Sequence, residues 1–141
     1  MKILKLLFRY VILLCIGGLI YCSIEISTRG YTHISMFLVG GICFICCGLV
    51  NECFEWYTPL LLQMFICCII ITTIEFISGC IINLALGLNV WDYSNQPFNL
   101  YGQICLLFSV LWYFLSLPAI ILDDYIRYWL FHEEKPRYKL V

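Results

Sequence analysis

What this chain has least of is charge. Only 12% of its 141 residues are Asp, Glu, Lys or Arg, while 63% are hydrophobic; soluble domains carry about 25% charged residues. That scarcity excludes an ordinary water-soluble domain, because a fold of this length has too little interior to hide so much apolar surface. Lipid must therefore be the solvent, and the mean hydropathy of +0.95 agrees. The net charge of −1 says nothing about nucleic acid, but no basic stripe suggests it, and none is expected as a partner. Signatures of chemistry are missing as well. The chain has no GxxxxGK[ST] phosphate loop, no GxSxG and no HExxH, so it is expected to bind no nucleotide, carry no cofactor and be no enzyme.

Cysteine, by contrast, is plentiful, with ten residues. Cys15, Cys22, Cys43, Cys46, Cys47, Cys67, Cys68, Cys80 and Cys105 lie in or beside apolar runs, and only Cys53 is near a loop. Reduced cysteine packs as a small hydrophobe, so filler rather than a disulfide framework is expected. The CxxC at Cys43–Cys46 has neither a second pair nor a His at zinc spacing, and no metal site is expected from it.

A membrane span takes about 20 apolar residues. Four such runs are present, at about 7–26, 34–51, 59–86 and 104–122. They predict an all-α bundle of four transmembrane helices forming one domain over 1–141. The opening MKILKLLFRYVILLCIGG has the basic head and apolar body of a signal peptide, but no small-residue cleavage site follows Gly18. It is expected to stay as the first span. Pro59 suits the first turn of the third span, and Pro118 should bend the fourth. Lys2, Lys5 and Arg9 precede the first span, and Arg127, Lys135, Arg137 and Lys139 follow the fourth, leaving only Arg29 on the opposite side. The positive-inside rule then places both termini in the cytoplasm of, by expectation, a bacterial plasma membrane.

Charged groups inside spans are costly and default to functional candidates. Glu75 is the sharpest, in the outer half of the third span. Thr72, Glu75, Gly79 and Asn83 recur at helical spacing and make one polar stripe. Glu25, at the outer end of the first span, shares the level of Arg29, His33 and Asp92. Such an outer cluster reads as a solute- or ion-binding vestibule, or as interhelical hydrogen bonding that fixes the bundle. A second candidate cluster lies at the inner interface: Asn51, Glu52 and Glu55 after the second span, with Asp123, Asp124 and Arg127 after the fourth. Residues at helix ends reach water, so solvated side chains and a partner-docking surface are the two readings there. His33 and His132 read as solvated interface residues. Faint internal similarity links IEISTRG at Ile24 to IEFISGC at Ile74, and GGIC at Gly40 to GQIC at Gly102, as a duplicated hairpin would.

Between the third and fourth spans stands LNVWDYSNQPFNLYGQ, residues 88–103, an outer loop far more particular than a connector needs. Its core, WDYS–x–x–P–x–N–x–x–G–x–I from Trp91 to Ile104, follows the Glu75 segment. With Glu25, STRGYTHISMFLVGG from Ser27 and GLVNE ending at Glu52, it resembles the putative type IV ABC-transporter permease family (CmpB-type) over nearly the whole chain. The chain differs from that pattern at Gln103, where the family has Arg, and in its first outer loop. The resemblance implies a small permease-like subunit for a solute or ion, working with a separate ATPase subunit or as a homo-oligomer in the lipid bilayer. Other readings are a non-transporting accessory or scaffold protein, and a membrane-embedded enzyme using the outer carboxylates. In the loop, Trp91 and Tyr93 are expected to anchor at the headgroups while Asp92 and Asn99 turn toward Glu75 and Glu25.

Overall fold

A computed structural model describes residues 1–141. The four apolar runs become four helices, each long and apolar enough to cross a membrane: α1 (Lys2–Arg29), α2 (Ile34–Cys53), α3 (Leu60–Gly79) and α4 (Leu106–Phe131). Helix α3 runs on into a wider π-helical stretch, Cys80–Ala85. Its burial pattern is the reverse of a soluble protein's. Phe8, Leu19, Phe65, Ile69, Leu107 and Phe114 face outward, while Glu25, Asn51, Gln63, Glu75, Asn83, Asp123, Asp124 and Arg127 are buried. Polar groups turned inward and hydrocarbon turned outward define an integral membrane protein.

Each helix end has a local cause. Helix α1 stops at Gly30, which adopts φ +80° and donates its N–H to Ile26 O, the left-handed cap that glycine supplies without strain. Helix α2 starts at His33, whose Nδ1 accepts the Ser35 N–H at 3.2 Å; this histidine is an N-cap rather than a merely solvated side chain. At the start of α3, the Leu60 N–H donates to Lys139 O at 2.7 Å and the Leu61 N–H to Leu140 O at 3.4 Å. Residues downstream of α4 thus satisfy first-turn donors that a helix cannot satisfy itself. The fourth apolar run ends near residue 122, yet α4 continues to Phe131. It can do so because Asp123, Asp124 and Arg127 find protein partners, as described below.

Helices α1 and α2 form a close antiparallel pair along two Gly–Gly steps. A Cβ on Gly17 would lie 2.3 Å from Phe44, one on Gly18 2.5 Å from Phe37 O, and one on Gly41 2.5 Å from Leu14 O. Small residues let backbones approach where lipid supplies no hydrophobic drive. Helix α2 is central, packing on all three others, and its Cys47 and Val50 join Leu60, Met64, Cys67, Ile71 and Ile120 in the main core. Helices α1 and α4 meet near the end that bears the termini, through Leu13 and Ile126. Toward the loop end they diverge and leave a groove. All ten cysteines are free thiols, and Cys68 donates to Ser109 O at 3.1 Å.

Candidate functional site

Glu75 sits at the floor of that groove. Its Oε1 accepts the Tyr93 hydroxyl at 3.0 Å and its Oε2 accepts the Trp112 indole N–H at 2.9 Å. Both donors are neutral, and no Lys, Arg or His forms an ion pair with it. A carboxylate offers about four acceptor positions, so the group retains unused capacity. The stripe that carries it faces protein throughout. Thr72 donates to Ser109 at 3.3 Å, and Gly79 lies where a Cβ would press on Gln103 and Trp91. The Asn83 side chain donates to Gln103 Oε1 at 2.8 Å and accepts the Val90 N–H at 2.7 Å.

Glu25 is held differently. Arg29, one turn on, pairs with its Oε1, and the Thr32 hydroxyl donates to its Oε2. Arg29 also donates to Val90 O at 3.3 Å and lies over the Tyr31 ring. Helix α1, the α1–α2 turn and the 88–103 loop are thereby joined at one point.

Inside the loop the arrangement is the opposite of the expectation. Trp91 is buried and its indole N–H donates to Gln103 O at 3.0 Å; Tyr93 reaches down to Glu75 and stacks on Phe108, ring centroids 4.6 Å apart. Asp92 and Asn99 are exposed and serve the loop itself. Asp92 accepts the Ser94 N–H at 2.8 Å and the Ser94 hydroxyl, so these donors hold its carboxyl below the usual carboxylate range. Asn99 donates to Gln96 O at 2.8 Å and accepts the Gly102 N–H at 3.1 Å. A short ladder, Asn99–Leu100 with Ile104–Cys105, turns through Tyr101 and Gly102, both at positive φ, as a type I′ turn demands. The reason for the reversal is satisfaction of backbone: small Asp and Asn oxygens cap a tight loop, while longer side chains, the aromatics and Gln103, reach from it into the bundle. Burial, and then Glu75, push the Tyr93 phenol well above its ordinary range.

At the terminal end, Asp123 pairs with Arg127 at 2.6 Å, and Arg127 approaches Glu133 at 4.0 Å. Arg9 of α1 donates to Glu133 at 3.0 Å. Asp124 accepts from the Asn51 side chain and from the Tyr138 hydroxyl, the latter at 2.7 Å; burial, and then Asp124, raise the Tyr138 phenol. Asp123 lies flat on Gly48, where a Cβ would come 1.9 Å from its Oδ2. Asn51, Asp123, Asp124 and Arg127 are therefore brought together and buried, whereas Glu52 is exposed and stands at the rim of a cleft of about 550 Å³ shared with Glu55, Trp56, Glu133 and Glu134.

Two further cavities fill the groove between α1 and α4. The deeper, about 250 Å³, runs from Gly17 past Tyr21 and Cys43 to Glu75, Trp112 and Pro118. The other, about 410 Å³, lies against Glu25, Arg29, Trp91, Tyr93 and Phe108. Both are lined by Tyr21, Ile24, Met36, Trp112 and Leu115, so they adjoin. Of the outer candidates, Glu25, Arg29, Trp91 and Tyr93 border the upper cavity and Glu75 the lower. Asn83, bonded to Val90 and Gln103, borders neither, and nor do Asp92 and Asn99. Sequence reasoning noted Gln103 only as a departure from the family pattern and passed over Trp112, Thr32 and Tyr138. Trp112 carried a signal, being a tryptophan well inside a span; Tyr138 carried none.

Four apolar helices around buried carboxylates define a polytopic integral membrane protein. Within that class, residues 8–136 match the family described as "Putative ABC-transporter type IV", and the chain belongs to it. No curated protein and no solved structure matches the chain.

Proposed function

We propose that the chain is a permease-like subunit that moves a small solute or ion across the membrane, with ATP hydrolysis supplied by a separate chain. Glu75 carries the reading. It is a carboxylate within a spanning helix, on the wall of a groove, with no basic partner, and such groups mark solute and ion pathways. Membership of a transporter family supports the same class. Cavities of about 250 and 410 Å³ give four helices little room for a whole pathway, which supports assembly with further copies and with an ATPase. The distribution of Lys and Arg supports termini in the cytoplasm of a bacterial plasma membrane. The cleft bordered by Glu52, Glu55 and Trp56 would then face the ATPase.

The test is purification from native membranes in mild detergent, with mass spectrometry of what accompanies the chain. An ATPase bearing a P-loop is expected; a chain recovered alone removes the main support for ATP-driven transport. The scaffold reading is favoured by one observation, the knitting of α2, α4 and Tyr138 through Asp124. Glu75→Gln separates the two. A permease loses flux while staying folded, and a scaffold loses only stability.

A further inference from the structure

The groove itself carries information about what could lie in it. Its mouth is apolar: Ile20 and Ile24 on α1, and Leu111 and Leu115 on α4, are each more than a third exposed. An occupant would enter sideways from the hydrocarbon. Inside, the walls are aromatic. Tyr21 and Trp112 stand with ring centroids 6.1 Å apart, Phe108 and Trp112 6.4 Å apart, and Tyr93 stacks on Phe108. The charged groups along the two cavities are Glu25, Arg29 and Glu75. Arg29 is already paired with Glu25, so the ionised site carries one uncompensated negative charge, on Glu75.

These features select among ligands. An anionic amphiphile would meet two carboxylates and find the one guanidinium engaged. A hard divalent cation takes six or more oxygen ligands, and the groove offers aromatic carbon. A neutral apolar molecule would make no use of the carboxyl, which would have to take up a proton to stay buried beside it. A cation with an apolar body satisfies all three conditions at once: hydrocarbon entry, ring faces that attract positive charge, and a carboxylate lacking a partner.

We infer that the α1–α4 groove binds a lipophilic organic cation, with the positive centre against Glu75 and the apolar body among Tyr21, Trp91, Tyr93, Phe108 and Trp112. The inference deepens the permease reading by naming the substrate class, while the binding step belongs to this chain alone.

The experiment titrates the full chain in dodecylmaltoside with tetraphenylphosphonium and, separately, with tetraphenylborate, subtracting the empty-micelle signal and following tryptophan fluorescence. The two ions share a shape and differ in sign. Saturable quenching by the phosphonium is expected, at an affinity at least tenfold above that for the borate. Glu75→Gln should weaken phosphonium binding at least tenfold; if that variant does not fold, the comparison on the unaltered chain decides. Equal affinity for the two ions, or undiminished phosphonium binding by Glu75→Gln, overturns the inference. Discrimination by a chain that recruits no ATPase would leave the cation site standing and remove ATP-driven transport. Recruitment without discrimination would do the reverse.

Discussion

At the scale of single residues, Gly48 shows how little space Asp123 has. Alanine at Gly48 would place a methyl group 1.9 Å from Asp123 Oδ2, so Asp123 must leave Arg127. Breaking a buried ion pair from one side costs about 3–5 kcal/mol. Gly48→Ala is expected to destabilise by about 3 kcal/mol, read as a lowered detergent unfolding midpoint, and an unchanged midpoint would mean that Asp123 is not held against α2. Asp92 gives a pH prediction. Its carboxyl is held below the ordinary range by the Ser94 donors, so its support of the loop is present at neutral pH. That support is full above the ordinary carboxylate range, weakens as pH falls through it and is gone below the depressed value. Hydrogen exchange at the Ser94 amide, corrected for intrinsic exchange, should therefore begin to accelerate as pH falls through the ordinary carboxylate range and level off in strongly acidic buffer. In Asp92→Ala the amide should exchange fast at every pH.

At the scale of elements, the 88–103 loop and the segment after α4 are both held by specific bonds, which in the loop add to the burial of Val90 and Trp91. Tyr138→Phe removes one of two donors to Asp124 and leaves a buried acceptor short, a loss of about 1–3 kcal/mol. Its unfolding midpoint should fall, whereas Tyr128→Phe, which removes a hydroxyl with no such role, should change little. The four helices were legible because hydropathy alone demands them, and the stripe from Thr72 to Asn83 was legible because 3.6-residue spacing puts those positions on one face. The loop's sidedness was not. Trp and Tyr suit a headgroup layer as well as they suit a buried contact, and the deciding fact is that Tyr93 lies within reach of Glu75. The end of α4 was illegible for a related reason. Asp123 and Asp124 read as the edge of a span because, although Arg127 stands one turn on and Asn51 was grouped with them, the Tyr138 hydroxyl and the bare face of Gly48 meet them only after folding.

At the scale of the molecule, both ends of the chain lie together, since Arg9 and Glu133 are paired. Epitope tags at Met1 and Val141 should therefore become protease-sensitive from the same side of sealed vesicles. Sensitivity in inside-out vesicles alone would establish the cytoplasmic placement, and tags cut from opposite sides would contradict the four-span fold. The bonds from Leu60 and Leu61 to Lys139 and Leu140 also impose an order on biogenesis. The third helix emerges from the ribosome with its leading amides uncapped, and they stay so until the fourth helix has been inserted and the tail has followed it. A nascent chain halted before Lys139 would hold all four helices and still lack the clasp that Lys139 and Leu140 make with the start of α3. To a quality-control protease, that open clasp would mark a chain whose third helix still has its leading amides uncapped.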